Sequence, residues 1–147
     1  MRYIVVFLIL VFFSSCETEE SAWKFYQASA KENSALLQVQ SKAGQFYGHC
    51  KIQYAEGVVD SGEVRGIVAG DTLRGIFNYV SYGGTRAVKP FLLLKSGDTL
   101  KQASGTTYTY LEIPYYFPKS IQFKKSNFQF LPIASEKYKE LEGKMKK

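Results

Sequence analysis

Two stretches repeat one design: VAGDTLRG at Val68–Gly75 and KSGDTLKQ at Lys95–Gln102. Each sets Gly-Asp between runs in which apolar and polar residues alternate. Glycine takes positive φ at no steric cost, so Gly-Asp between alternating runs marks a tight hairpin turn. The first turn joins GEVRGIV to DTLRGIFNYV, and the second joins AVKPFLLLK to DTLKQAS. SYGGT at Ser81–Thr85 is a loop between the two hairpins. Two hairpins of one design in succession point to an antiparallel meander.

The residues upstream continue the pattern. In QFYGHCKIQY, Phe46, Gly48, Cys50, Ile52 and Tyr54 fall on one face, and Tyr47, His49, Lys51 and Gln53 on the other. That is a half-buried strand. ALLQVQ alternates too, and SKAGQ between them closes another hairpin. WKFYQAS at Trp23–Ser29 reads as a strand, although SAWKFYQASAKENSALL also has helix-forming composition. Pro90 removes one ladder donor and argues for an edge or a bulge. TTYTYLEIPYYFP at Thr106–Pro118 is expected to end as a loop, because Pro114 and Pro118 break a long strand. SIQFKKSNFQFLPI is expected to form a last hairpin or bulged strand, with Ile121, Phe123, Phe128 and Phe130 facing in. The charged tail SEKYKELEGKMKK has the spacing of a short, fraying helix, with Glu140 and Lys144 at i,i+4.

Eight or nine short strands with turns every ten residues or so are the signature of an antiparallel sandwich or barrel. A chain of 147 residues in which 16% are aromatic suits a single sheet-based domain. The expected fold is all-β: an antiparallel up-and-down meander forming a small, lipocalin-like barrel or a strongly curved sheet. A closed barrel removes the unpaired edges of such a sheet.

The N-terminus reads differently. Arg2 precedes an unbroken apolar run, Tyr3–Phe13, which stops at Ser14, Ser15 and Cys16 and gives way to the acidic ETEE. The run is well short of the roughly 20 residues of a membrane-spanning helix and fits a secretory leader. The arrangement resembles a bacterial lipoprotein signal. It implies cleavage between Ser15 and Cys16 and a lipid on the Cys16 thiol, with Phe13 standing where such signals usually carry Leu. The acidic cluster behind Cys16 resembles the surface-export signal of Bacteroidota lipoproteins. The expected organisation is then a signal peptide at 1–15, a lipidated cysteine and acidic linker at 16–22, the β domain at 23–133 and a charged tail at 134–147. Lipidation leaves Cys50 as the one thiol, with no partner for an intramolecular disulfide. The net charge of +6 stays positive without Arg2. Outside the cytoplasm it is read as attraction to anionic lipid or polysaccharide rather than to nucleic acid.

No catalytic set emerges from the sequence. His49, the one histidine, neighbours Cys50, but adjacent strand residues point to opposite faces. One His and one Cys are too few to hold a metal, and no motif asks for a cofactor. Asp71 and Asp98 are read as turn-capping residues, and Asp60 and Glu63 as parts of a DSGE turn. The strongest candidate is the aromatic segment: Tyr108, Tyr110, Tyr115, Tyr116 and Phe117. These rings either plug one end of the barrel or line a ligand site at its rim.

The pattern GxVxGDTLxGxFxY…FLLxxGDTLxxxxG resembles a group of small Bacteroidota lipoproteins with no assigned activity, over Trp23–Ile133. The resemblance implies a strand layout and no chemistry. The expected role is that of a non-enzymatic cell-envelope lipoprotein, held to the membrane by its N-terminal lipid and binding an apolar or glycan ligand. It is expected at the outer membrane, and on the cell surface if the acidic signal acts. The alternative is an accessory lipoprotein that docks onto an envelope protein.

Overall fold

The structure, a computed structural model, describes residues 22–145. The leader, Ser15 and Cys16 lie outside the described residues. In chain order the elements are β1 (Lys24–Ala30), β2 (Asn33–Lys42), β3 (Gln45–Gln53), β4 (Val59–Ala69), β5 (Thr72–Val80), β6 (Arg86–Ser96), β7 (Thr99–Gln102), β8 (Thr107–Tyr110), β9 (Ile113–Tyr116), β10 (Gln129–Ile133) and the helix α1 (Ser135–Lys144). Eight strands form a closed antiparallel barrel in up-and-down order, β1-β10-β7-β6-β5-β4-β3-β2, and β8-β9 is a separate hairpin inserted between β7 and β10. Closure comes from β10 pairing with β1, with Phe25 opposite Ile133 and Gln27 opposite Leu131.

The turns explain the repeated sequence. Gly70 and Gly97 hold φ of 58° and 62°, and each opens a two-residue turn followed by aspartate. Glycine at the first central position is the signature of a type II′ turn, whose twist matches the flanking strands. Among the described hydrogen bonds neither Asp71 nor Asp98 caps its turn with its side chain. Thr72 Oγ1 donates to the Ala69 carbonyl at 2.8 Å instead. These turns and the Ala43-Gly44 turn lie at one end of the barrel, the turn end. The longer loops at 54–58 and 81–85 lie at the other, the loop end.

Alternation fills the interior. Leu37, Val39, Phe46, Cys50, Val64, Phe77, Phe91, Leu93 and Phe130 are all buried in one cluster. An eight-stranded barrel is just wide enough to be packed by its own side chains, and here it is. A bore this small needs sharply coiled strands. A Cβ on Gly66 would stand 2.1 Å from the Arg74 carbonyl oxygen and 2.6 Å from the Gly75 Cα. Gly66 and Gly75 face each other across β4 and β5, so the backbones approach more closely there than any side chain permits.

WKFYQAS is strand, as read, and forms β1. Several expectations change. DSGE is no turn: Asp60–Glu63 lies inside β4, with Asp60 facing in and Glu63 out. The second half of the aromatic segment is not a loop, since Ile113–Tyr116 pairs with Thr107–Tyr110. Pro114 sits in that short ladder, and Leu111 and Glu112 carry the turn at φ of 48° and 64°. Phe128 and Phe130 are buried as expected, whereas Ile121 and Phe123 are only half-buried. Pro90 lies in the long strand β6, which β7 pairs only from Leu93 onward. The Leu92 carbonyl points to the β7 side, where it accepts from the Ala103 amide at 2.9 Å. Pro90, two residues away, faces the same side, so its missing N–H costs no ladder bond.

The charged tail is docked. α1 crosses the outer face of β1 and β2, with Tyr138 only 2% exposed and its ring 5.1 Å from that of Phe25. Leu36, which faces outward on β2, is buried. Lys51 Nζ meets Glu142 Oε1 at 2.9 Å. Burying one such aromatic side chain is worth roughly 1.5–3 kcal/mol, well above a partly exposed ion pair of about 1 kcal/mol or less.

The close approach at the glycine pair makes a prediction. Gly66→Ala should lower stability by about 3 kcal/mol or more. Gly83→Ala, where an added Cβ meets nothing within 4 Å, should stay within about 0.5 kcal/mol. Urea unfolding of both variants checks this.

Candidate functional site

With the interior filled, the surface open to a ligand is the outer wall, where the registers of β3 to β6 set outward side chains in rows. One row runs Gln45, Ile67, Arg74, Leu92, and the next runs Tyr47, Arg65, Ile76, Pro90. The β8–β9 hairpin stands beside these rows. Ile113, Pro114, Tyr115 and Tyr116 face them across a groove of about 910 Å³. The hairpin also shields Leu92, which points away from the barrel yet is only 7% exposed.

The hairpin is braced at its base. Phe117 N–H donates to the Thr106 carbonyl at 2.9 Å. Ser120 Oγ accepts from the Thr106 amide at 2.9 Å and donates to the Phe117 carbonyl at 2.8 Å. Tyr116 OH reaches the Ala103 carbonyl at 3.4 Å, and burial raises its pKa. The aromatic residues singled out in the sequence therefore sit on the outer wall, neither plugging the barrel nor lining its mouth. Tyr108, Tyr115 and Tyr116 line the groove. Phe117 packs against Tyr108 at 4.6 Å and holds it in place. Tyr108 and Tyr115 stack on each other at 5.7 Å. Tyr110 projects at the hairpin tip, 63% exposed, beside Leu111 at 77%.

The floor is aliphatic, with two guanidinium groups placed diagonally across β4 and β5. The ion pairs among the described residues are Lys51–Glu142, Lys137–Glu140 and Lys144–Glu140, so neither Arg65 nor Arg74 is neutralised by one. Such a surface suits a molecule with an apolar body and an anionic group. No local pattern announces the rows, because they depend on register between strands. The arginines stand two residues before Ile67 and Ile76, and that alternation on a solvent face was the available signal.

Further along the same wall the chemistry turns polar. His49, Glu63 and Asn78 stand in register, and with Tyr82 and Arg86 they border a second concavity of about 800 Å³. His49 faces out and Cys50 in, so the two form no pair. Burial pushes the Cys50 thiol up to about 12, with the nearby Lys89 ammonium opposing weakly. A thiol so buried and so weakly acidic is inert.

One charged cluster lies inside, at the loop end. Tyr54 OH donates to Asp60 Oδ2 at 2.9 Å. Burial raises the Tyr54 pKa, and the bond to Asp60 adds to the shift. Lys89 Nζ lies 4.8 Å from the Tyr79 ring centre and 5.2 Å from that of Phe77. Burial lowers its pKa while Asp60 pulls the other way. Among the described residues no fully buried side-chain nitrogen or oxygen lacks a hydrogen-bond partner. Among the described residues no set of three or more His, Cys, Asp or Glu is placed to share a metal ion.

Comparison with family models, with curated proteins and with solved structures finds no match to this chain.

The Cys50 environment is directly testable. In a Cys16→Ser variant, iodoacetamide should leave Cys50 unmodified in the native protein over hours and alkylate it within minutes in denaturant. Rapid native alkylation, read by intact mass, would show an accessible, acidic thiol.

Proposed function

We propose that this chain is a non-enzymatic binding protein of the cell envelope, held to a membrane by a lipid on Cys16 after cleavage behind Ser15. Its groove takes an amphiphile, with an apolar chain along Ile67, Ile76, Pro90 and Leu92 and an anionic head at Arg65 and Arg74. The groove carries this reading: it is concave, mostly apolar, and has two cations without a carboxylate partner among the described residues. Its volume is in the range of small-molecule sites. Of the two ligand classes open from the sequence, the aliphatic floor favours the apolar one. A glycan platform offers flat aromatic faces, whereas Tyr108 and Tyr115 spend theirs on each other. The acidic stretch behind Cys16 supports an outer-membrane location, at the surface if it acts as an export signal.

A second reading has one observation behind it. The hairpin tip exposes Tyr110 and Leu111, and an exposed apolar tip suits docking onto an envelope protein.

Titration of the full chain in detergent-free nanodiscs separates the two. Lysophosphatidylglycerol and palmitate should bind saturably, and a neutral oligosaccharide should not. Arg65→Ala and Arg74→Ala should each weaken lysophosphatidylglycerol binding about tenfold, or 1.4 kcal/mol, and Ile76→Glu should abolish it. Lipid binding indifferent to all three variants would remove the groove from the function and leave the docking reading.

A further inference from the structure

We propose that the acidic segment Glu17–Glu20 is an internal occupant of the cationic side of the groove: its carboxylates settle on Arg65 and Arg74, and an anionic ligand must displace them to bind. The inference rests on the reading of the groove as an amphiphile site, and adds a regulation to it.

The place where the chain enters the barrel comes first. Glu17, Glu19 and Glu20 lie outside the described residues, but the point to which they lead is fixed. Trp23 stands one residue before β1, and Lys24 pairs with Val39. The next residue of β2, Gln40, pairs with Tyr47, Tyr47 with Arg65, and Arg65 with Ile76. Trp23 therefore stands at the head of the same outward row. Its ring reaches past β2 and meets the Tyr47 ring edge-on at 5.1 Å, and Tyr47 lines the groove. The acidic segment thus joins the barrel at the border of the groove.

Both arginines are within its reach. Glu20 precedes Trp23 by three residues and Glu17 by six, which is about 10 Å and about 20 Å of extended chain. Around the wall, β4 lies three strand spacings from β1, about 14 Å, and β5 four, about 19 Å. The glutamate and arginine side chains extend the reach further.

The charges at this end decide where the segment goes. Lys24 and Lys95 border a recess that Asp98 shares. On the helix side Lys137 is bonded to Glu140, and the Lys139 charge acts on Glu136. On the groove side Arg65 and Arg74 are exposed, and no ion pair among the described residues engages either, the nearby turn residue Asp71 included. Lys42 heads the second row, which runs through Gln45 and Ile67 to Arg74. It too is exposed and in no ion pair among the described residues. Three carboxylates thus meet two arginines with a lysine on the way. A guanidinium grips a carboxylate through two parallel N–H donors, which an ammonium does not. Each exposed pair is weak on its own. A tether this short raises the local carboxylate concentration to the order of mM. The segment can then occupy the arginines and still yield to a ligand that adds an apolar chain on Ile67, Ile76 and Leu92.

Lysophosphatidylglycerol titrations of the full chain in phosphatidylcholine nanodiscs test this. A variant carrying Glu17→Gln, Glu19→Gln and Glu20→Gln should bind about tenfold tighter than the parent, because no internal carboxylate competes. Monopalmitoylglycerol, which has no charge to contest, should bind both alike. In an Arg65→Ala background, where the segment has lost its nearer partner, the gain should shrink below about threefold. Circular dichroism checks the fold of each variant. A gain of the same size with Arg65→Ala and with Arg74→Ala would mean that the segment repels anions from a distance, and would overturn the internal occupant. Saturable binding that the three glutamine substitutions leave unchanged would overturn it too, and leave the groove reading intact. No saturable binding by the parent or by the triple variant would overturn the groove reading, and the regulation with it.

Discussion

The ladder between β1 and β10 is the pairing on which everything else depends. It joins the first described strand to the last, and without it the sheet has two open edges. Closing eight strands fixes the bore, and a bore of that size is filled by the inward side chains. Phe46, Phe77, Phe91 and Phe130 occupy what a wider barrel would leave as a cavity. The facing Gly66 and Gly75 are part of the same constraint, because strands coiled this tightly leave no room for a Cβ at their closest approach.

A filled interior sends recognition to the outside. The meander would pass directly from β7 to β10, but the chain inserts the β8–β9 hairpin between them and lays it beside the outer wall. An outward-facing Leu92 is buried as a result, and two in-register rows on β3 to β6 become the floor of a groove. The second packed attachment, α1, covers Phe25 and Leu36 on the opposite side. The wall is thus divided. One sector is covered by the helix, one is overhung by the hairpin, and the polar row through His49, Glu63 and Asn78 runs between them toward the loop end.

How much of this could be read from the sequence depends on where the deciding interaction lies. The Gly-Asp turns and the alternation through Phe46–Tyr54 are local, and they led directly to the hairpins, the inward Cys50 and the outward His49. The β8–β9 hairpin is only half legible because its turn lacks the usual residues. Leu111 and Glu112 hold positive φ that glycine or asparagine normally supplies, and Pro114 reads as a breaker although it sits in a two-stranded ladder with free edges. Asp60 reads as a turn residue because Asp, Ser and Gly are turn formers. Its place in the run Asp60, Gly62, Val64, Gly66, Val68 was the stronger signal. Tyr138 lay in a segment whose composition suggested a frayed helix, and its burial depends on Phe25 and Leu36, far away in the chain. Tyr108, Tyr115 and Phe117 of the aromatic segment do meet, but whether the segment plugs, rims or overhangs the barrel is a matter of tertiary placement that no local pattern encodes.

At the centre stands the β8–β9 insertion, which completes a binding groove whose floor is the outer wall of a self-sufficient barrel. Excision tests it most directly. The Thr106 carbonyl and the Phe117 amide already meet at 2.9 Å, so residues 107–116 can be replaced by a Gly-Ser linker without stretching the chain. The expected result is a barrel that still unfolds cooperatively, with a Tm within several degrees of the parent, and that no longer binds lysophosphatidylglycerol. Retained binding by the shortened, folded protein would contradict the account and place the ligand elsewhere on the wall or within the barrel.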